Sequence, residues 1–165
     1  MVIDRAVALR RTRALADSAE VVEFNRALES LVGKHDASLL PDLHLCLDDE
    51  TKNTEVMFGL VHYLESFSVE AQLRAMLAVL TAFAAGAPWW AKVLHYRILN
   101  NDDSRAQYRD LLLPETGPAR VAACSILRSV ASEHGRPVSA KSEQLYREVC
   151  GTIEAGSPST GGDPH

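Results

Sequence analysis

The chain has 165 residues, 47% of them hydrophobic and 24% charged, with a net charge of −5. That length suits one domain, and a chain of this size buries roughly two thirds of its unfolded surface without disulfide staples. Its 17 basic residues against 22 acidic ones leave no cationic excess to face phosphates, which argues against a nucleic-acid partner. Cys46, Cys124 and Cys150 are odd in number and lack a CxxC spacing, so all three are expected as reduced thiols of a cytoplasmic protein. Residues 1–16 carry Arg5, Arg10, Arg11 and Arg13 but no continuous apolar run of the kind a secretory leader needs. The longest apolar stretch, residues 75–87, is interrupted by Thr81 and Gly86 and is expected to be too short to cross a membrane.

In chain order, apolar residues recur every three or four positions nearly throughout, which is helical spacing. Val2, Ala6 and Leu9 open a short basic helix. Asp17 or Ser18 caps a second, striped by Val21, Phe24, Leu28, Leu31 and Val32 and stopped at Gly33. Pro41 suits the first turn of a short buried helix through Leu43, Leu45 and Leu47, although that alternation also fits a strand. Asp48, Asp49 and Glu50 fall in the following loop. Thr54 caps a helix carrying Val56, Met57, Leu60, Val61 and Leu64, and Ser68 caps an Ala-rich one carrying Leu73, Leu77 and Leu80. Pro88 starts a helix with Trp89, Val93, Leu94, Tyr96 and Leu99. The two tryptophans, Trp89 and Trp90, cannot point the same way; one packs in the core and the other is a candidate binding anchor. Asp102 or Asp103 starts a short helix through Tyr108 and Leu112, Pro118 begins another ending at Gly135, and Ser139 caps a last one with Leu145, Val149 and Ile153. The expected fold class is all-α: a single-domain bundle of about seven to nine short helices over residues 1–154, with HEAT-like hairpins as a variant arrangement. Residues 155–165 are rich in Gly, Ser and Pro and are expected to form a disordered tail.

Charge is unevenly placed. Asp36, Asp42, Asp48, Asp49, Glu50, Glu55, Glu65 and Glu70 lie in one stretch with a single base, Lys52. The remaining residues hold 16 bases and 14 acids, so the net negative charge belongs to this stretch alone. Acids at such density repel one another. Three readings stay open: a solvated face, a docking surface for a basic partner, and a metal site. For the last, Glu55, His62 and Glu65 share one helical face, and His44 lies near them in sequence. The spacing lacks the repeated ExxH of a di-iron bundle and the HExxH of a zinc protease. No nucleophile elbow, P-loop or dinucleotide fingerprint is present.

Residues 39–50, LLPDLHLCLDDE, and 55–65, EVMFGLVHYLE, together with 88–101, PWWAKVLHYRILNN, resemble an all-α family of immunity proteins from bacterial polymorphic toxin and contact-dependent inhibition systems. The resemblance runs from Leu39 to Val130. It implies a non-enzymatic cytoplasmic protein, without cofactor, that binds and neutralises a cognate toxin domain. It further implies that a toxin of the nuclease kind, with a basic cleft, is met by carboxylates placed where phosphates would lie. By position, Asp48, Asp49, Glu50, Glu55, His62 and Glu65 are the candidate partner contacts. The alternatives are a HEAT-like adaptor without a toxin partner and a metal-binding helical enzyme built on His44, Glu55, His62 and Glu65.

Overall fold

The computed structural model describes residues 3–151. Within them the chain forms nine α-helices and no strand: α1 Ile3–Arg11, α2 Ser18–Glu29, α3 Leu40–His44, α4 Thr54–Glu65, α5 Val69–Gly86, α6 Pro88–Asn100, α7 Asp102–Leu112, α8 Pro118–Ala131 and α9 Pro137–Val149. The all-α expectation holds. A turn of 3-10 helix, Ala37–Leu39, leads into α3. The ambiguous leucine run is therefore helix and turn, with Leu39, Leu40, Leu43, Cys46 and Leu47 all buried. Val2, Ile153 and the expected tail over 155–165 lie outside the described residues.

Several helix starts follow side-chain capping chemistry. Asp17 accepts from the N–H groups of Ala19 and Glu20 to start α2, and Ser68 accepts from that of Ala71 to start α5. Two expected caps are displaced. Asn53, not Thr54, caps α4 by accepting from Val56 N–H at 3.2 Å, which leaves Thr54 as the first helical residue. Ser139 lies inside α9, where its buried hydroxyl donates to the Glu133 carbonyl. Pro137 opens that helix instead, since its missing N–H costs nothing at the first position. Gly135, at φ +85°, makes the left-handed turn between α8 and α9.

The helices gather on α5, which packs against α3, α4, α6, α7 and α8. A solenoid repeat touches only its neighbours in the stack, so this arrangement is a bundle and not an open array. By length and composition alone α5 is apolar enough to cross a membrane, with 18 residues at a mean hydropathy of 1.3, which corrects the expectation of too short a stretch. Here Leu73, Met76, Leu77, Leu80 and Phe83 are spent on the bundle core.

Two polar devices tie the later helices together. Arg120 is buried and donates to the carbonyls of Leu113, Glu115 and Val149, setting one cation at the C-terminal ends of α7 and α9. His95 of α6 is fully buried; its Nδ1–H donates to the Ala91 carbonyl at 2.7 Å. A carbonyl only accepts, so Nδ1 carries the proton and Nε2 is left as an acceptor for the Tyr108 hydroxyl of α7, 2.8 Å away. Burial pushes the His95 imidazole down to about 4, so the ring is neutral at pH 7.

The cysteine expectation is overturned at two of three positions. Cys124 of α8 and Cys150, just past α9, form a disulfide with Cα atoms 5.9 Å apart. Spacing in sequence does not reveal this pair. The two lie 26 residues apart, and only the return of α9 along α8 brings them within bonding reach. Cys46 remains a free buried thiol, pushed up to about 12 by desolvation, which makes it an inert core residue.

Thiol titration of the protein denatured after purification under oxidising conditions is expected to count one reactive cysteine; a count of three there would restore the reduced reading. The pH dependence of stability carries a second expectation. His44 is buried like His95, and both rings are lowered from 6.5 to about 4. Unfolded chains take up these protons as pH falls through 6.5, while the folded protein resists until about 4. Stability is thus complete above that window and is lost on acidification through it, by roughly 3 kcal/mol per histidine at the lower end. Melting temperature measured from pH 7 to pH 4 checks this, and His95→Gln should flatten the slope. An unchanged slope in that variant would remove His95 as a source of the acid sensitivity.

Candidate functional site

The eight clustered acids separate into two groups: five are engaged within the fold, and Asp42, Glu50 and Glu55 are exposed with carboxylates that no hydrogen bond or ion pair engages among the described residues. Asp36 caps the 3-10 turn, and Glu70 pairs with Arg74 one turn along α5. Asp48 and Asp49 are used inside the fold. Helix α6 starts at Ala87–Pro88 with no capping side chain of its own. Its exposed donors are met from 40 residues away: the Asp49 carboxylate accepts from Trp89 N–H at 2.8 Å and from Trp90 N–H at 3.1 Å. The Trp90 indole N–H donates to the Asp48 carbonyl at 2.9 Å. The Asp48 carboxylate in turn pairs with Arg13 at 3.0 Å and accepts from Glu50 N–H. Lys52 N–H donates to the Ala14 carbonyl at 2.8 Å, a further tie to the α1–α2 loop. The loop over residues 48–50 is thus anchored at both ends of the early bundle, and two of the residues expected to face a partner spend their carboxylates within it.

Glu50 and Glu55 are exposed, and no hydrogen bond or ion pair engages either carboxylate among the described residues. His62 is exposed two turns along α4 from Glu55. Between them Phe58 sets its ring edge-on to Trp90 with centroids 5.0 Å apart, and Trp90 meets Trp89 at 4.8 Å. Trp90 is fully buried while Trp89 is 50% exposed. The tryptophan pair thus divides as expected, one ring in the core and one outside. Asp49 binds the backbone of Trp89, and the Trp89 side chain lines a hollow with Ala85, Lys92, Ala122 and Ile126, between α5, α6 and α8. Glu50, Glu55 and His62 are thus exposed on the 48–50 loop and on α4, and a row of rings, His62, Phe58, Trp90 and Trp89, runs from α4 to the start of α6.

Glu65 has a different place. Both its oxygens accept from Arg97 of α6, through Nε and, at 2.7 Å, Nη2. Phe58 to Trp90 and Glu65 to Arg97 are each 32 positions apart, so α4 and α6 run in the same direction, side by side. Helix α5 returns between them, leaving a groove of about 510 Å³ lined by Val61, Leu64, Leu73, Met76, Leu94 and Ile98, among others. The Glu65–Arg97 pair stands at this groove, and His44 of α3 lines it. His44 Nδ1–H donates to the Leu40 carbonyl at 2.7 Å, and burial lowers the ring to about 4. Arg97 was not visible as a site residue, although its spacing from Trp90 repeats that of Glu65 from Phe58, two helical turns in each case. Among the described residues no three His, Cys, Asp or Glu side chains come together to hold a metal ion. The set His44, Glu55, His62 and Glu65 is not assembled: His44 is buried, whereas Glu55 and His62 are exposed.

One family model, described as Immunity protein 30, matches residues 11–108. No curated protein and no solved structure matches this chain. The matched span runs from the end of α1 to Tyr108 in α7 and contains Glu50, Glu55, His62, Trp89, the groove and the 48–50 loop; α8 and α9 fall beyond it.

Asp49→Ala removes both acceptors from the start of α6 and is expected to cost about 1–2 kcal/mol in urea unfolding, the range of a lost N-cap. Glu55→Ala should leave stability within about 0.5 kcal/mol. Equal effects of the two would contradict the division of the acids into internal and free.

Proposed function

The chain belongs to the immunity protein 30 family, and from that premise we propose that it binds and neutralises a cognate toxin domain through exposed residues that include Trp89, Glu50 and Glu55. An immunity role implies a toxin protein as partner and an inhibitor that acts by binding rather than by chemistry of its own. The observations that carry the finer reading are Trp89, half-exposed with its backbone N–H held by Asp49, and the exposed carboxylates of Glu50 and Glu55, which no hydrogen bond or ion pair engages among the described residues. A rigid, solvent-facing indole loses little entropy on contact and takes the face of an arginine or lysine well. Free, exposed carboxylates draw a cationic surface in and reject anionic ones. The partner surface that fits is basic, as the substrate cleft of a nuclease is, and acids there stand in for phosphates.

The proposed place of action is the cytoplasm of the producing cell, where such a toxin would strike. Disulfides close in oxidising surroundings, so in that compartment α9 relies on its packing along α8 and on the 2.7 Å bond from the Ser142 hydroxyl to the Leu127 carbonyl. Both lie outside the segment that matches the family.

The test is co-expression with a candidate toxin domain, sought as the C-terminal domain of any large secreted protein encoded beside this gene. Growth should be rescued and a stable complex recovered; failure of both would remove the toxin-binding reading. Glu50→Lys with Glu55→Lys should slow association about 10- to 100-fold at low salt, with little change at high salt and an unaltered melting temperature. Trp89→Ala should instead raise the dissociation rate at least tenfold, as expected for loss of an aromatic anchor worth about 2 kcal/mol. Association rates that ignore both salt and the charge reversals would contradict the electrostatic part.

A further inference from the structure

Between α3 and α4 the chain runs through residues 45–53 without a helix, and Glu50 presents its carboxylate from this loop. A charge on a loop meets a partner efficiently only where the backbone beneath it is already held, because a loop that must be ordered at contact slows and weakens binding. The turn after α1 holds the loop at three points. The Arg13 guanidinium donates through Nη1 to the Leu45 carbonyl at 3.2 Å and pairs through Nε with one Asp48 oxygen at 3.0 Å. The other Asp48 oxygen accepts from Glu50 N–H at 3.0 Å. The Ala14 carbonyl accepts from Lys52 N–H at 2.8 Å. Leu15 pins the turn itself. It has φ +48°, a strained value for a residue with a side chain, and that side chain is buried. Its N–H donates to the Thr12 carbonyl at 3.0 Å.

Within this clip Arg13 has a part that lysine cannot fill. Two separate nitrogens of one rigid fork reach acceptors three residues apart, where a lysine brings a single nitrogen. The charge of Arg13, by contrast, works against recognition of a basic partner, since it cancels that of Asp48 in the acidic segment. What Arg13 adds there is geometry. Asp49 ties the loop to the start of α6, but the Asp48 carboxylate is the group that takes the Glu50 N–H, and Arg13 is the group that holds that carboxylate. We propose that Arg13 is a positioning residue for partner recognition: it bridges Leu45 to Asp48 and, through the Asp48 carboxylate, fixes the backbone that presents Glu50. The proposal rests on the toxin-binding reading and adds to it a residue that acts without touching the toxin.

The first experiment uses the full chain alone, labelled with ¹⁵N. In Arg13→Gln the backbone order parameters of residues 48–50 are expected to fall from about 0.85 to below about 0.7, while those of α4 and α5 stay rigid. Unchanged values at 48–50, or an equal fall across α4 and α5, overturns the proposal. The second experiment uses the toxin domain recovered by co-expression, and here charge and geometry predict opposite signs. Arg13→Gln makes the protein more negative and frees the Asp48 carboxylate, so steering by charge alone would speed association with a basic surface. Loss of the clip should instead slow it, about 5- to 10-fold at low salt. In the Glu50→Gln background the same replacement should change the rate by about twofold or less, since no carboxylate is left to position. Arg13→Lys, which keeps the charge and one bond, should fall between. Association that is unchanged or faster in Arg13→Gln, or equally slowed without Glu50, overturns the positioning role and leaves toxin binding intact. Absence of a complex with the unsubstituted chain overturns the toxin-binding reading and the part of Arg13 in it together.

Discussion

The start of α6 imposes the constraint on which the functional surface depends. A helix exposes unpaired N–H groups at its first turn, and this helix begins with alanine and proline, neither of which can cap it. The Asp49 carboxylate supplies the acceptors from a loop 40 residues earlier. That single placement has several consequences. It turns Trp90 into the core, where its indole N–H reaches Asp48. It leaves Trp89 facing out, and it seats the 48–50 loop against α6. Phe58 of α4 then packs on Trp90 and Glu65 pairs with Arg97, so α4 and α6 run parallel over α5 and a groove opens between them.

The same residues explain how a locally repulsive charge cluster is tolerated. Part of the negative charge is compensated where it is formed, by Arg13 on Asp48, by helix N–H groups on Asp49, by Arg97 on Glu65 and by Arg74 on Glu70. What remains for a partner is smaller than the total suggests and lies with Asp42, Glu50 and Glu55. The exposed pairs add little stability in themselves. Their effect here is positional, because Glu65 and Arg97 fix two helices in register, and Asp49 holds an aromatic ring in solvent.

Two neutral histidines complete the interior. Each satisfies one nitrogen within its own helix and offers the other across the bundle. His95 joins α6 to α7 through a tyrosine, while His44 offers its acceptor to the groove. Burial keeps both rings uncharged at neutral pH, so the bundle holds these imidazoles as hydrogen-bonding groups rather than as charges.

Helical periodicity, the glycines and prolines, and the division of one tryptophan inward and one outward were legible in the sequence, because they follow from local spacing and backbone chemistry. The segregation of acids was equally legible, since charge can be counted along a chain. Which acids are free was not, nor that Asn53 starts α4, that Cys124 meets Cys150, or that His44 faces a groove. Cap choice turns on the geometry of one turn, and the remaining features on pairs 26 to 41 positions apart. Local patterns determined the helices of this protein. Only their packing decided which side chains are consumed in holding them together and which are left to meet a partner, because a carboxylate or an imidazole has no fixed role until a donor from another helix reaches it or fails to.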